Sequence, residues 1–146
     1  MAFKFSLATV LRYREELEKR EERTLEQRRE EVAVLEARLA EIRRLRDAIL
    51  QHREAAMKRG TLGSDLHYTA QKKRDLDRME QETREQLKLA LSEFDKQMKA
   101  FLAARQKREI LSELKSTQKD VYEEKQEKRE QALVDELFGS RMQRDT

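Results

Sequence analysis

The stretch Gly60-Thr61-Leu62-Gly63-Ser64-Asp65 decides the fold of this chain. Gly60 and Gly63 are the only glycines in the first 138 residues, and no proline occurs anywhere in the 146-residue sequence. Proline breaks helices and glycine weakens them, so a chain short of both runs helically for many turns. Gly60 suits the left-handed conformation that ends a helix, and Ser64 or Asp65 can accept the free N–H groups that open the next. The stretch is therefore read as one reversal between two long helices, about residues 6–59 and 65–138, with a turn at 60–65. Gly139 is expected to stop the second helix and leave 139–146 as a polar tail. The fold class is all-α, a single antiparallel coiled-coil hairpin.

Composition agrees. Charged residues make up 43% of the chain and aromatics 5%, as in coiled coils rather than compact globules. The net charge is only +3, from 33 basic and 30 acidic residues. Arg12 to Glu30 alone holds seven basic and seven acidic residues, which makes a solvated helical face rather than a nucleic-acid-binding arm. No cysteine is present, which excludes disulfides and thiolate catalysis. The apolar opening Phe5 to Leu11 is too short for a signal peptide or a membrane span.

In the first arm the apolar stripe runs Leu25, Val32, Leu35, Leu39, Ile42 and Ile49, widened by Leu17 and Leu45. In the second it runs Leu76, Met79, Thr83, Leu87, Ala90, Phe94, Met98, Phe101, Ala104, Arg108, Leu111, Leu114, Gln118 and Val121, with a mean step of about 3.5 residues. Folding about the turn pairs residues whose numbers add to about 125, since both arms rise equally. Ile49 then faces Leu76, Ile42 faces Thr83, Leu35 faces Ala90, Val32 lies near Phe94, Leu25 near Phe101, and Leu11 opposite Leu114. Charged positions Arg14, Glu18 and Glu21 meet Ala104, Lys107, Arg108 and Leu111. Exposed ion pairs are worth only about 0–1 kcal/mol, so this zone should fray more readily than 32–49.

The arms are unequal, roughly 80 and 110 Å at 1.5 Å per residue. The second should overhang the first from near Lys119. That overhang carries Leu133, Val134, Leu137 and Phe138 on one face with no intramolecular partner, a docking surface by default.

Sites for small-molecule chemistry are not found. There is no glycine-rich phosphate loop. His52 and His67 lie in different arms and out of register, without metal-binding spacing, and read as surface residues. The carboxylates alternate with Arg and Lys in a solvated setting that would not tune an acid–base pair. No cofactor, metal or catalytic residue is expected.

The ends carry a signature. The chain opens Phe3-Lys4-Phe5-Ser6-Leu7, then Val10-Leu11 and Arg14. It continues late with Lys107-Arg108-Glu109-Ile110-Leu111, Leu114-Lys115, Tyr122, Glu130-Gln131 and Val134-Asp135-Glu136-Leu137. In these motifs, in length and in turn position, it resembles the FliJ family of the bacterial flagellar protein export apparatus. The resemblance covers essentially the whole chain. It implies a non-catalytic two-helix stalk, similar to the gamma subunit of rotary ATPases, located in the cytoplasm and peripheral on the inner face of the cell membrane. The implied partners are a hexameric export ATPase, a transmembrane export gate protein and export chaperones. Carried onto this sequence, the ATPase-binding candidates are Phe5, Leu7, Val10, Leu11, Arg14, Arg108, Leu133, Asp135, Glu136, Leu137 and Phe138. The gate-binding candidates are Arg38, Ile42, Leu45, Ile49, Leu76, Met79 and Thr83. The free protein is expected to be a monomer, with no nucleic acid bound and no insertion into the bilayer. The alternatives are the equivalent stalk of a virulence-type secretion ATPase, a self-associating coiled-coil scaffold, or a nucleic-acid-binding hairpin.

Overall fold

The structure, a computed structural model, describes residues 2–60 and 62–144. It is all-helical. Helix α1 spans Ala8–Arg59 and helix α2 spans Gly63–Arg144, and the two pack against each other in a hairpin. Two compact units group the contacts: Met1–Arg20 with Leu102–Thr146, and Glu21–Phe101.

The turn forms as the glycines dictate, with one correction. Gly60 takes a φ of 72°, the left-handed value that an L side chain resists, and its N–H donates to the Met57 carbonyl. Lys58 and Arg59 precede it, where cations suit the negative end of the helix dipole. The second helix opens at Gly63, ahead of Ser64 and Asp65. The Leu62 carbonyl accepts the N–H of Asp65 at 3.1 Å and of Leu66 at 3.4 Å. Gly63 tolerates the first helical position, so the helix begins before the capping side chains are reached. Asp65 stays in the first turn, where its charge meets the positive end of the dipole. Thr61, the second residue of the expected turn, lies outside the described residues.

Both outer ends depart from expectation. The first helix begins at Ala8 rather than Ser6, entered through a turn in which the Ala8 N–H donates to the Phe5 carbonyl. Gly139 does not stop the second helix, which continues to Arg144. A lone glycine costs a helix roughly 1 kcal/mol, too little to end one flanked by good helix formers. Asp145 and Thr146, the last of the expected tail, lie outside the described residues.

The seam follows the heptad more strictly than it follows hydrophobicity. Leu11, Leu25, Leu39 and Ile42 are buried from α1, and Thr69, Leu76, Glu80 and Thr83 from α2. Two assignments change. Met79 is 43% exposed, while its neighbour Glu80 is only 6% exposed and takes the seam position. Alternating steps of four and three from Leu76 arrive at Glu80, Thr83, Leu87, Ala90, Phe94 and Gln97, so spacing overrides the apolar character of Met79. Beyond Leu111 the stripe is no longer covered: Leu114, Gln118 and Val121 are exposed. The last aromatic contact is Phe3 against Tyr122, ring centroids 5.6 Å apart.

Cross-arm contacts keep close to the expected register within each unit. Phe3 meets Tyr122 and Glu18 meets Arg108 in one; Arg43 and Arg46 meet Glu80 in the other. The Glu21–Gln97 pair sits several residues nearer the turn than that register allows. One fold line therefore does not serve every layer.

Candidate functional site

The terminal candidates all fall in the unit built from the chain's two ends, and they separate by burial. Phe5 and Leu11 are buried, so they hold the N-terminal segment in place rather than present a surface. Leu7 and Val10 are exposed beside them. Arg14 is half-buried, its guanidinium 5.7 Å from the centre of the Tyr13 ring. Arg108 is committed inside the unit. Its Nε donates to Glu18 Oε2 at 2.5 Å and its Nη2 to Glu18 Oε1 at 3.2 Å. That hydrogen bonding holds the Glu18 carboxyl below its usual range, against the opposing effect of burial.

Past Tyr122 the helix loses cover, and every residue from Glu127 to Arg144 is exposed. Leu133, Val134, Leu137 and Phe138 stand on this segment, and Met142 extends them by one turn. Spacings of one, four and five residues place the first four along one side of a helix. Asp135 accepts a hydrogen bond from Gln131 at 3.2 Å, and Glu136 is exposed. Val134, Leu137, Phe138, Ser140, Arg141 and Arg144 line a shallow groove there. The sequence reading had not counted Met142, because it ended the helix at Gly139.

The second candidate set lies in the other unit and is divided. Ile42, Leu76 and Thr83 are buried seam residues, and Ile49 is half-buried. Arg38, Leu45 and Met79 reach the surface. A shallow recess bordered by Leu45, Ile49, Leu76 and Met79 brings four members of the set together.

The sequence reading missed the polar centre beside this set. The Glu80 carboxylate accepts hydrogen bonds from Arg43 Nε at 3.3 Å, Arg84 Nη2 at 2.9 Å and Arg46 Nη1. Burial alone would raise its pKa; the three guanidiniums outweigh burial and lower it. Strict heptad counting would have found Glu80, but nothing in the spacing reveals that three arginines converge on it.

Among the described residues no cluster of His, Asp and Glu could hold a metal ion, and no helix is long and apolar enough to cross a membrane. The arrangement leaves an exposed apolar helix face at the chain's C-terminal end and a mixed patch nearer the turn.

No curated protein and no solved structure matched the chain. The family model described as Flagellar FliJ protein matches residues 3–146, nearly the whole chain. The chain therefore belongs to the flagellar FliJ family, and its role lies in flagellar protein export.

Proposed function

We propose that this protein is a stalk that docks in the hexameric export ATPase, promotes its assembly and turnover, links it to the export gate and escorts export chaperones. The family is a non-catalytic component of the export machinery. The observation that carries the docking reading is the exposed face Leu133, Val134, Leu137 and Phe138, on a helical segment that no other described residue of the chain covers. Such a face gains free energy by burial against a partner, about 25 cal/mol for each Å² of apolar surface removed from water. Leu7 and Val10 belong to the same unit and add exposed apolar surface to it. In this reading Phe5, Leu11 and the Glu18–Arg108 pair support the docking end and do not touch the ring.

For the gate, the exposed members Arg38, Leu45 and Met79 are the contact residues, while Ile42, Leu76 and Thr83 keep the hairpin closed beneath them. The protein acts on the cytoplasmic face of the membrane at the flagellar base and is a monomer when free.

The test adds the protein to the export ATPase and measures hexamer assembly and turnover. Changing Leu133, Leu137 and Phe138 together to Ser removes activation and leaves the helix content nearly unchanged. Activation that survives the triple change would show that another surface docks.

A further inference from the structure

Beyond Tyr122 the coiled-coil spacing of α2 changes face. The alternating steps of three and four that carry the hairpin seam through Arg108 and Tyr122 go on to Lys125, Arg129, Ala132 and Glu136, which leave it little apolar to bury. Further round the helix, the same steps pick out Glu127, Glu130, Val134, Leu137, Arg141 and Arg144. At 3.6 residues per turn these side chains lie within a band about 100° wide. All are exposed, and among the described residues none of the charged ones forms an ion pair, whereas Lys128 on the adjoining face holds Glu124 at 3.4 Å. Arg141 and Arg144 line the same shallow groove as Val134 and Leu137.

The band runs in order from acids through apolar residues to bases, and that order is its own complement when reversed. Turned end for end about a centre between Asp135 and Glu136, Glu127 meets Arg144, Glu130 meets Arg141 and Val134 meets Leu137. Twofold symmetry makes each contact twice. Leu133 and Phe138 border the apolar layers on either side. Parallel pairing would instead set like charges against each other. The chain already closes an antiparallel seam with the same kind of layer, where Arg108 donates to Glu18 at 2.5 and 3.2 Å.

We propose that this face is occupied by a second copy of the chain, the terminal segments of α2 pairing antiparallel over residues 127–144. The partner helix then runs on past Arg144, away from Tyr122 and the packed part of the unit. A foreign surface would use the apolar residues, but it would not require acids and bases matched about one centre. The contact spans only about 27 Å of helix, so pairing is weak and dilution returns the monomer. The band includes part of the face assigned to the ring. Paired and docked states therefore exclude each other, a consequence that rests on the docking reading, whereas the pairing itself does not.

Sedimentation equilibrium of the full chain without ATPase, from about 1 μM to about 1 mM, tests the pairing over the range of weak association. The mass should rise from monomer to dimer and stop there, because a twofold contact closes on itself. Changing Arg141 and Arg144 together to Glu should weaken association roughly tenfold or more, and so should changing Glu127 and Glu130 together to Arg, since each sets like charges face to face. Mixing the two variants should restore the dimer, because each supplies the charges that the other lacks. Fraying of the helix in either variant would not be repaired by mixing. Leu137→Ser, which leaves every charge in place, should also weaken the dimer. Three results would each overturn the proposal: a monomer at every concentration, a dimer indifferent to both charge reversals, or reversed variants that do not pair when mixed. A chain that stays monomeric yet activates the ATPase through Leu133, Leu137 and Phe138 would leave this face to the ring alone. A chain that dimerises as expected but never activates the ATPase would overturn the docking reading and support the pairing.

Discussion

Arg108 grips Glu18 across the hairpin with two parallel hydrogen bonds, a two-pronged contact between α2 and α1 where leucines would ordinarily meet. Both side chains are mostly buried, so water screens the pair less than the exposed pairs along either helix. The carboxyl pKa is lowered chiefly by the hydrogen bond from Arg108. A carboxyl depressed in the folded state stabilises the fold above its unfolded value and loses that contribution as the pH falls through the folded one. Below the ordinary value of 4.5 the wild type should therefore lose stability more steeply than Glu18→Gln. At neutral pH a double-mutant cycle with Arg108→Ala should give a coupling of about 1 kcal/mol. Melting curves across pH check both.

Glu80 separates the cost of a lost partner from the value of a buried charge. Glu80→Ala should lower the melting temperature by several degrees, because it leaves a void and takes the acceptor from Arg43, Arg46 and Arg84. Glu80→Leu fills the position with the residue that coiled-coil seams favour, and the arginines can turn to solvent. Its melting temperature should equal or exceed that of the wild type. A Leu variant as unstable as the Ala variant would show that the charge, not the volume, holds this layer.

Two glycines should respond in opposite directions to the same substitution. Gly60 holds a φ of 72°, so Gly60→Ala should destabilise by about 1 kcal/mol despite the open space around it. Gly139 lies inside α2 with nothing within 4 Å of an added Cβ. Gly139→Ala should strengthen the terminal helix by about 0.5–1 kcal/mol. Hydrogen exchange near residues 133–144 would register the second effect.

Ile42 and Leu45 divide the gate-binding candidates by experiment. Ile42 is 2% exposed, and Ile42→Ala should cost about 2–4 kcal/mol through lost burial and a cavity. Leu45 is 38% exposed, and Leu45→Ser should cost less than about 1 kcal/mol. If Leu45 contacts the gate protein, Leu45→Ser weakens that binding while shifting the melting curve much less than Ile42→Ala does.

Sequence alone determined the hairpin. Missing prolines, two glycines near residue 60 and a repeat of about 3.5 leave a chain few other ways to bury its leucines. It also exposed Leu133, Val134, Leu137 and Phe138, because unequal arms force one helix past the other. Tertiary structure decided which residues occupy the seam. An apolar reading prefers Met79 to Glu80, but a seam position is set by angle around the helix. A carboxylate can hold it when Arg43, Arg46 and Arg84 arrive from two helices to neutralise it. The seam reading already places Ile42, Leu76 and Thr83 inside, and the structure buries all three while leaving Leu45 and Met79 exposed. Tertiary structure carried α2 through Gly139, where the small penalty of one glycine is outweighed by its neighbours. Periodicity fixes the face of a helix; only packing between helices fixes which side chains on that face meet water.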